Sequence, residues 1–263
     1  MAGIGWKLER MLERDSLSST LQAYLTGVAV TSAPWVLTTA VLVTLRMMAR
    51  SHSALEFGRV EQLITIVYAV TLVVSAPAHV VVSRYAADRL YERRLDLVAG
   101  PLRHALMVTI IGFLLAGAVT MAILRPPLAL AVPGTVLTSV VAAQWLLLAV
   151  GGGMSSPTGV LGAFTLGALI SIVAAVVLEN TAGLGARGYL VGFTFGQGIA
   201  LTGMLLQILR SLPDEESVAP RGALRGAFRE YRLLALSALA MYGAVWIDKV
   251  VTCLLYTSDA ADE

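Results

Sequence analysis

The chain is poor in the residues that most enzymes and soluble binding domains depend on. It has one cysteine, Cys253, in 263 residues, so no disulfide framework can form within it. Charged residues make up 14% of the sequence, against about a quarter in a typical soluble domain. HExxH, GxSxG and Walker A motifs, paired Cys/His ligand sets and acidic clusters of the glycosyltransferase kind are all missing. The sequence is therefore read as non-enzymatic, with no metal and no cofactor. Its glycine-rich stretch "AVGGGMSSP" reads as a turn between apolar blocks. It has no lysine at a phosphate-loop position, which argues against ATP-driven work by this chain alone. No cleavable leader is expected: "MAGIGWKLERMLERDSLSST" is mixed in charge, and the apolar block after it is too long for a signal sequence.

What the chain has in abundance is apolar residues, at 57%, with a mean hydropathy of +0.78. They come in seven blocks, at 21–45, 63–82, 105–124, 128–150, 159–178, 189–209 and 233–252. Each approaches the roughly 20 residues a helix needs to cross a hydrocarbon core of about 30 Å. Helices are the expected form, because lipid offers no partner for an open backbone amide and the blocks lack the alternation of a barrel strand. The fold class expected is an all-α integral membrane protein embedded in a lipid bilayer.

Lys and Arg set the orientation. Most lie in Lys7, Arg10 and Arg14, in Arg84, Arg89, Arg93, Arg94 and Arg103, and in Arg210, Arg221, Arg225, Arg229 and Arg232. The opposite side has Arg46, Arg50, Arg59, Arg125 and Arg187. This asymmetry predicts a cytoplasmic N-terminus and explains the basic excess without nucleic acid. The organisation expected is a cytoplasmic amphipathic segment at 1–20, a six-helix lobe at 21–209, a cytoplasmic linker at 210–232, and the first helix of a second, truncated lobe at 233–252. Within the first segment, Trp6, Met11 and Leu12 suit a membrane interface.

The last eleven residues, "CLLYTSDAADE", match the translation of an adapter string used in transposase-based sequencing libraries. Residues 253–263 are therefore expected to be non-native and are left out of the fold reasoning.

Several stretches carry a resemblance. "MAGIGWKLERMLERDSL", "AYLTG", "TSAPWVLTT", "SRYAADRLYERRLD" and "EYRLLALSALAMYGAVWIDKVV" resemble the Pel exopolysaccharide transporter family, a branch of the multidrug/oligosaccharidyl-lipid/polysaccharide exporter superfamily. The resemblance implies a flippase-like arrangement of two six-helix lobes around a central cavity, in the bacterial inner membrane. It implies a polysaccharide substrate, partly deacetylated and rich in amino sugars, moved to the periplasm for biofilm matrix. It also implies membrane and cytoplasmic partners of a Pel-type synthase complex, including a glycosyltransferase and a cyclic-di-GMP receptor. Two other readings stay open: a lipid-linked oligosaccharide flippase or drug/cation exporter of the same superfamily, and a membrane scaffold for a synthase complex.

The candidate residues follow from polarity inside apolar blocks. Asp248 and Lys249, in "VWIDKVV", fall about 22–24 Å along the last span. Intramembrane charges usually face an interior or a cavity, so a carboxylate there can meet a cationic sugar and a lysine can tune it. The plainer account is pairing with two different neighbours, or a snorkelling lysine. Gln144 and Gln197 can bond sugar hydroxyls, or can join helices to each other. His79 can carry a proton or simply pack. Pro34, beside Trp35, and Pro77 are hinge candidates. Arg84, Asp88, Arg89, Arg93 and Arg94 form a candidate docking face for a cytoplasmic glycosyltransferase; spacings of four set Arg84 over Asp88 and Arg89 over Arg93. Gly192 and Gly196 have small-xxx-small spacing, which favours close helix packing.

Overall fold

The computed structural model describes residues 17–48, 54–154, 157–182, 184–212 and 222–259. The described residues are helical, with no strand among them. The helices are α1 (Leu17–Met48), α2 (Ala54–Tyr91), α3 (Ala99–Leu124), α4 (Leu128–Met154), α5 (Pro157–Ala182), α6 (Ala186–Leu209), α7 (Ala223–Glu230) and α8 (Arg232–Asp259). A 3-10 turn, Leu95–Leu97, precedes α3.

Among the described residues, five stretches are long and apolar enough to cross a membrane: Phe57–Tyr91, Leu95–Leu124, Leu128–Gly151, Gly159–Glu179 and Ala186–Leu209. Pro34–Met48 and Arg232–Ile247 are shorter apolar segments of α1 and α8. The expected all-helical membrane class therefore holds. The amphipathic N-terminal segment up to residue 16 and linker residues 213–221 lie outside the described residues.

Two expected boundaries moved. Residues 151–153, read as a turn, continue α4 to Met154, because inside an apolar layer a helix satisfies the amides that a loop would leave open. Helix α2 overruns its apolar block and carries its charged end to Tyr91. There Arg93 takes a left-handed backbone, φ 59°, and the chain turns into the 3-10 segment. Tyr85 braces this turn by donating its hydroxyl to the Leu97 carbonyl at 3.2 Å.

The packing is centred on α2, α4 and α6, with α3 against α4, α5 against α6, α1 against α5, and α8 against α2. Helices α5 and α6 approach most closely. A Cβ built on Gly192 would lie 2.3 Å from the Ala175 nitrogen, and one on Gly196 would lie 2.0 Å from Ser171 Oγ. Only hydrogen at these positions lets the two backbones touch, as the small-residue spacing predicted.

Among the described residues the apolar core falls into two large clusters and a small third one of Val81, Tyr85 and Ala227. One large cluster joins Val41, Leu45, Phe57, Tyr68, Val141, Tyr189 and Phe193. The other joins Val82, Leu102, Leu146, Val150, Ala200 and Met204. On α2, α4 and α6 alike, the break between them falls at polar residues. The second cluster also gathers Leu212 and Leu224, which brings the ends of α2, α6 and α7 together. Arg84, Arg89, Arg93, Arg94, Arg210, Arg225, Arg229 and Arg232 thus share one end of the bundle.

Candidate functional site

The break in the core is a buried polar belt. Thr71, Ser75 and His79 of α2, Gln144 of α4, and Thr194 and Gln197 of α6 are all buried. A polar group in an apolar layer is costly unless bonded, and the belt bonds internally. Gln144 Nε2 donates to the Gln197 backbone oxygen at 2.9 Å and to its Oε1 at 3.0 Å. The two candidate glutamines therefore meet, and Gln144 spends its amide on Gln197 across the α4–α6 contact. The Thr71 hydroxyl donates to the Val67 carbonyl at 2.7 Å and receives Trp145 Nε1 at 3.3 Å. Ser75 Oγ lies 3.4 Å from His79 Nδ1.

Tyr68, Thr71, Ser75 and His79 recur at intervals of three and four, so they form one stripe on α2. At one end of the stripe Tyr68 meets an aromatic group. Its ring centroid is 6.2 Å from Trp35 and 6.2 Å from Trp145, and the two tryptophans are 5.5 Å apart. The Thr38 and Tyr68 hydroxyls are 3.3 Å apart. At the other end His79 meets Tyr242 of α8 edge to face, at 5.5 Å. One face of α2 thus touches α1 at one depth and α8 at another.

The remaining candidates are distributed as follows. Asp248 and Lys249 are on α8, but their side chains lie outside the described residues. Pro34 is buried within α1 and Pro77 half-buried within α2, and both helices run through them. Arg84 pairs with Asp88 at 3.1 Å, as the spacing predicted. Arg89 does not stack over Arg93, because α2 ends first; it pairs with Glu92 and lies 5.3 Å over the Tyr85 ring. Arg94 approaches Asp96 at 3.9 Å.

Asp88 has a second partner that sequence reading missed. Tyr231, between α7 and α8, donates its hydroxyl to Asp88 Oδ2 at 2.5 Å. That bond, burial and the neighbouring carboxylate charges push the Tyr231 hydroxyl up to about 12. Trp35, Tyr68, Trp145 and Tyr242 were likewise not singled out as a group. The spacing of Tyr68, Thr71, Ser75 and His79 was the available signal, since four polar or amphipathic residues on one face of a span are conspicuous. The aromatic partners come from other helices and left no local pattern.

This arrangement offers hydroxyls, an imidazole, amides and aromatic faces. No match was found among curated proteins or among solved structures. A family model does match, that of PelG, described as "Putative exopolysaccharide Exporter (EPS-E)", over residues 1–261. That span covers nearly the whole chain, including every helix described above, and the role it carries is transport. The chain belongs to the PelG family of exopolysaccharide exporters.

Proposed function

We propose that this chain moves an amino-sugar-rich exopolysaccharide of the Pel kind across the bacterial inner membrane to the periplasm, for biofilm matrix. The observation that carries the reading is the family match over residues 1–261. The belt between the two apolar clusters supports it, because a polyhydroxylated chain needs polar groups at that depth. In this reading the Arg-rich end is cytoplasmic. Arg84, Asp88, Arg89, Arg93 and Arg94 form a docking face there for a cytoplasmic glycosyltransferase of the synthase complex.

Helix α8 opens a second lobe in this reading. It rests on α2 and leaves Leu233, Leu236, Met241, Val245 and Ile247 exposed, an apolar surface ready for further helices or lipid. Asp248 is the proposed carboxylate for a cationic sugar, with Lys249 tuning it. His79, Gln144 and Gln197 supply polarity along the path, and Pro34 and Pro77 let α1 and α2 bend as the lobes rock.

The test is deletion of the full-length protein. Extracellular amino-sugar polymer is expected to vanish while synthesis persists in cell extracts. Normal secretion after deletion rejects the proposal. Loss of synthesis, together with release of the glycosyltransferase from membranes, makes the chain a scaffold instead.

A further inference from the structure

Trp35 is in an unusual place for a membrane tryptophan. Such residues favour the headgroup region at either end of a span. Within the apolar block 21–45, Trp35 lies about 21 Å from one end and about 15 Å from the other, at 1.5 Å per residue. It is still 40% exposed. A residue that merely faces lipid at this depth has no need of an indole N–H, nor of polar groups behind it.

The ring is also held in place. Trp145 and Tyr68 back it at 5.5 and 6.2 Å. Those two rings are fixed in turn by the Trp145 bond to Thr71 and the close approach of the Tyr68 and Thr38 hydroxyls. A flat surface supported by rings that are themselves bonded is pre-organised for a ligand. It stands at the head of the α2 stripe that runs through Thr71 and Ser75 to His79, where α8 begins to pack. Leu37, two residues on, packs against both apolar clusters, which sets Trp35 at the level of the polar belt.

We propose that Trp35, backed by Tyr68 and Trp145, is a stacking platform for the pyranose rings of the exported polymer. The inference rests on the exporter reading above and adds the subsite. A pyranose presents C–H groups on its faces, and these pack on the negative face of an indole. A protonated amino group on the sugar adds a cation–π attraction. Stacking of this kind reads no individual hydroxyl. Each successive sugar can therefore take the place of the last without breaking a set of directed hydrogen bonds, as a moving chain requires.

The experiment compares Trp35→Tyr, Trp35→Leu and Trp35→Ala in the full-length protein, in cells making the polymer. Secretion is normalised to the amount of protein in the membrane. Trp35→Tyr is expected to keep at least about half of the secretion. Trp35→Leu and Trp35→Ala are expected to lose about tenfold, the scale of one aromatic contact. Wild-type secretion by Trp35→Leu overturns the proposal, because a lipid-facing site accepts leucine. A second measurement does not depend on the small variants accumulating: the aromatic photocrosslinker p-benzoylphenylalanine is placed at position 35. Glycosidase-sensitive adducts with the polymer support the platform, and adducts with lipid alone overturn it. If secretion is indifferent to deletion of the whole protein, the exporter reading fails. If it depends on the protein but not on Trp35, only the subsite fails.

Discussion

Helices α5 and α6 and helices α2 and α8 are both neighbouring pairs, yet they are joined in opposite ways. At α5–α6 the backbones touch through Gly192 and Gly196, and a single added methyl would collide with Ala175 or Ser171. At α2–α8 the contacts are through side chains: Tyr231 on Asp88 at one end, His79 on Tyr242 further along, and Ala235 against the small cluster of Val81, Tyr85 and Ala227. The first seam has one arrangement only, because packed backbone is not continuously deformable. The second rests on side chains and leaves most of the described part of α8 uncovered. The difference separates a backbone-to-backbone seam from a side-chain seam, and the proposed path adjoins the second.

Breaking the fixed seam should have the largest effect. Gly196→Leu is expected to cost at least about 3 kcal/mol by forcing the helices apart. It should show as loss of the protein from membranes, or as a lowered midpoint in detergent unfolding. A variant as stable as wild type removes the contrast between the two seams.

The polar belt comes next. Gln197→Leu leaves Gln144 Nε2 without its side-chain acceptor and is expected to cost about 1–2 kcal/mol. The double variant Gln144→Leu with Gln197→Leu should recover part of that, because no orphaned amide remains. A double-mutant cycle measures the recovery. Additive losses would mean the two residues act separately.

The side-chain seam is expected to be milder. Tyr231→Phe removes one partly exposed hydrogen bond, worth at most about 1 kcal/mol. Its pH dependence has a defined sign. The folded state holds the neutral hydroxyl, with its titration raised from 10.0 to about 12. The contact is therefore intact below pH 10 and is lost as pH rises from about 10 toward 12. Wild type should lose more stability over that window than Tyr231→Phe; identical profiles would exclude the Asp88 bond as a cause. Smallest of all is Arg84→Gln, which breaks an exposed pair with Asp88 and should change stability by less than about 0.5 kcal/mol.

The ease with which each seam could be read from sequence follows the same division. The spans were legible because apolar length is a local property. The α5–α6 contact was legible in part, since Gly192 and Gly196 share a helix face by spacing alone. Arg84 on Asp88 was legible for the same reason. The α2–α8 contacts were not, because Tyr231 and Asp88 are 143 residues apart and nothing near either one marks the other. Gln144 and Gln197 were both noticed, but their meeting across 53 residues is a tertiary fact. The end of α2 was misplaced because hydropathy reports where apolar residues stop, not where backbone hydrogen bonds stop. Arg89 therefore found Glu92 in a turn instead of Arg93 on a helix face.

The most direct test of the central claim, that the polymer passes along the side of the molecule bearing Trp35, is the accessibility of that side. Thr39 is one helical turn beyond Trp35 on the same exposed face of α1, and Leu115 of α3 is 67% exposed on a helix that packs mainly against α4. Single cysteines replace each in turn, in a full-length protein whose native cysteines are changed to serine, and spheroplasts are treated with a membrane-impermeant maleimide. The account predicts reaction at Thr39→Cys that slows while polymer is being made, and no reaction at Leu115→Cys in either condition. Thr39→Cys as unreactive as Leu115→Cys, with or without polymer synthesis, would contradict it.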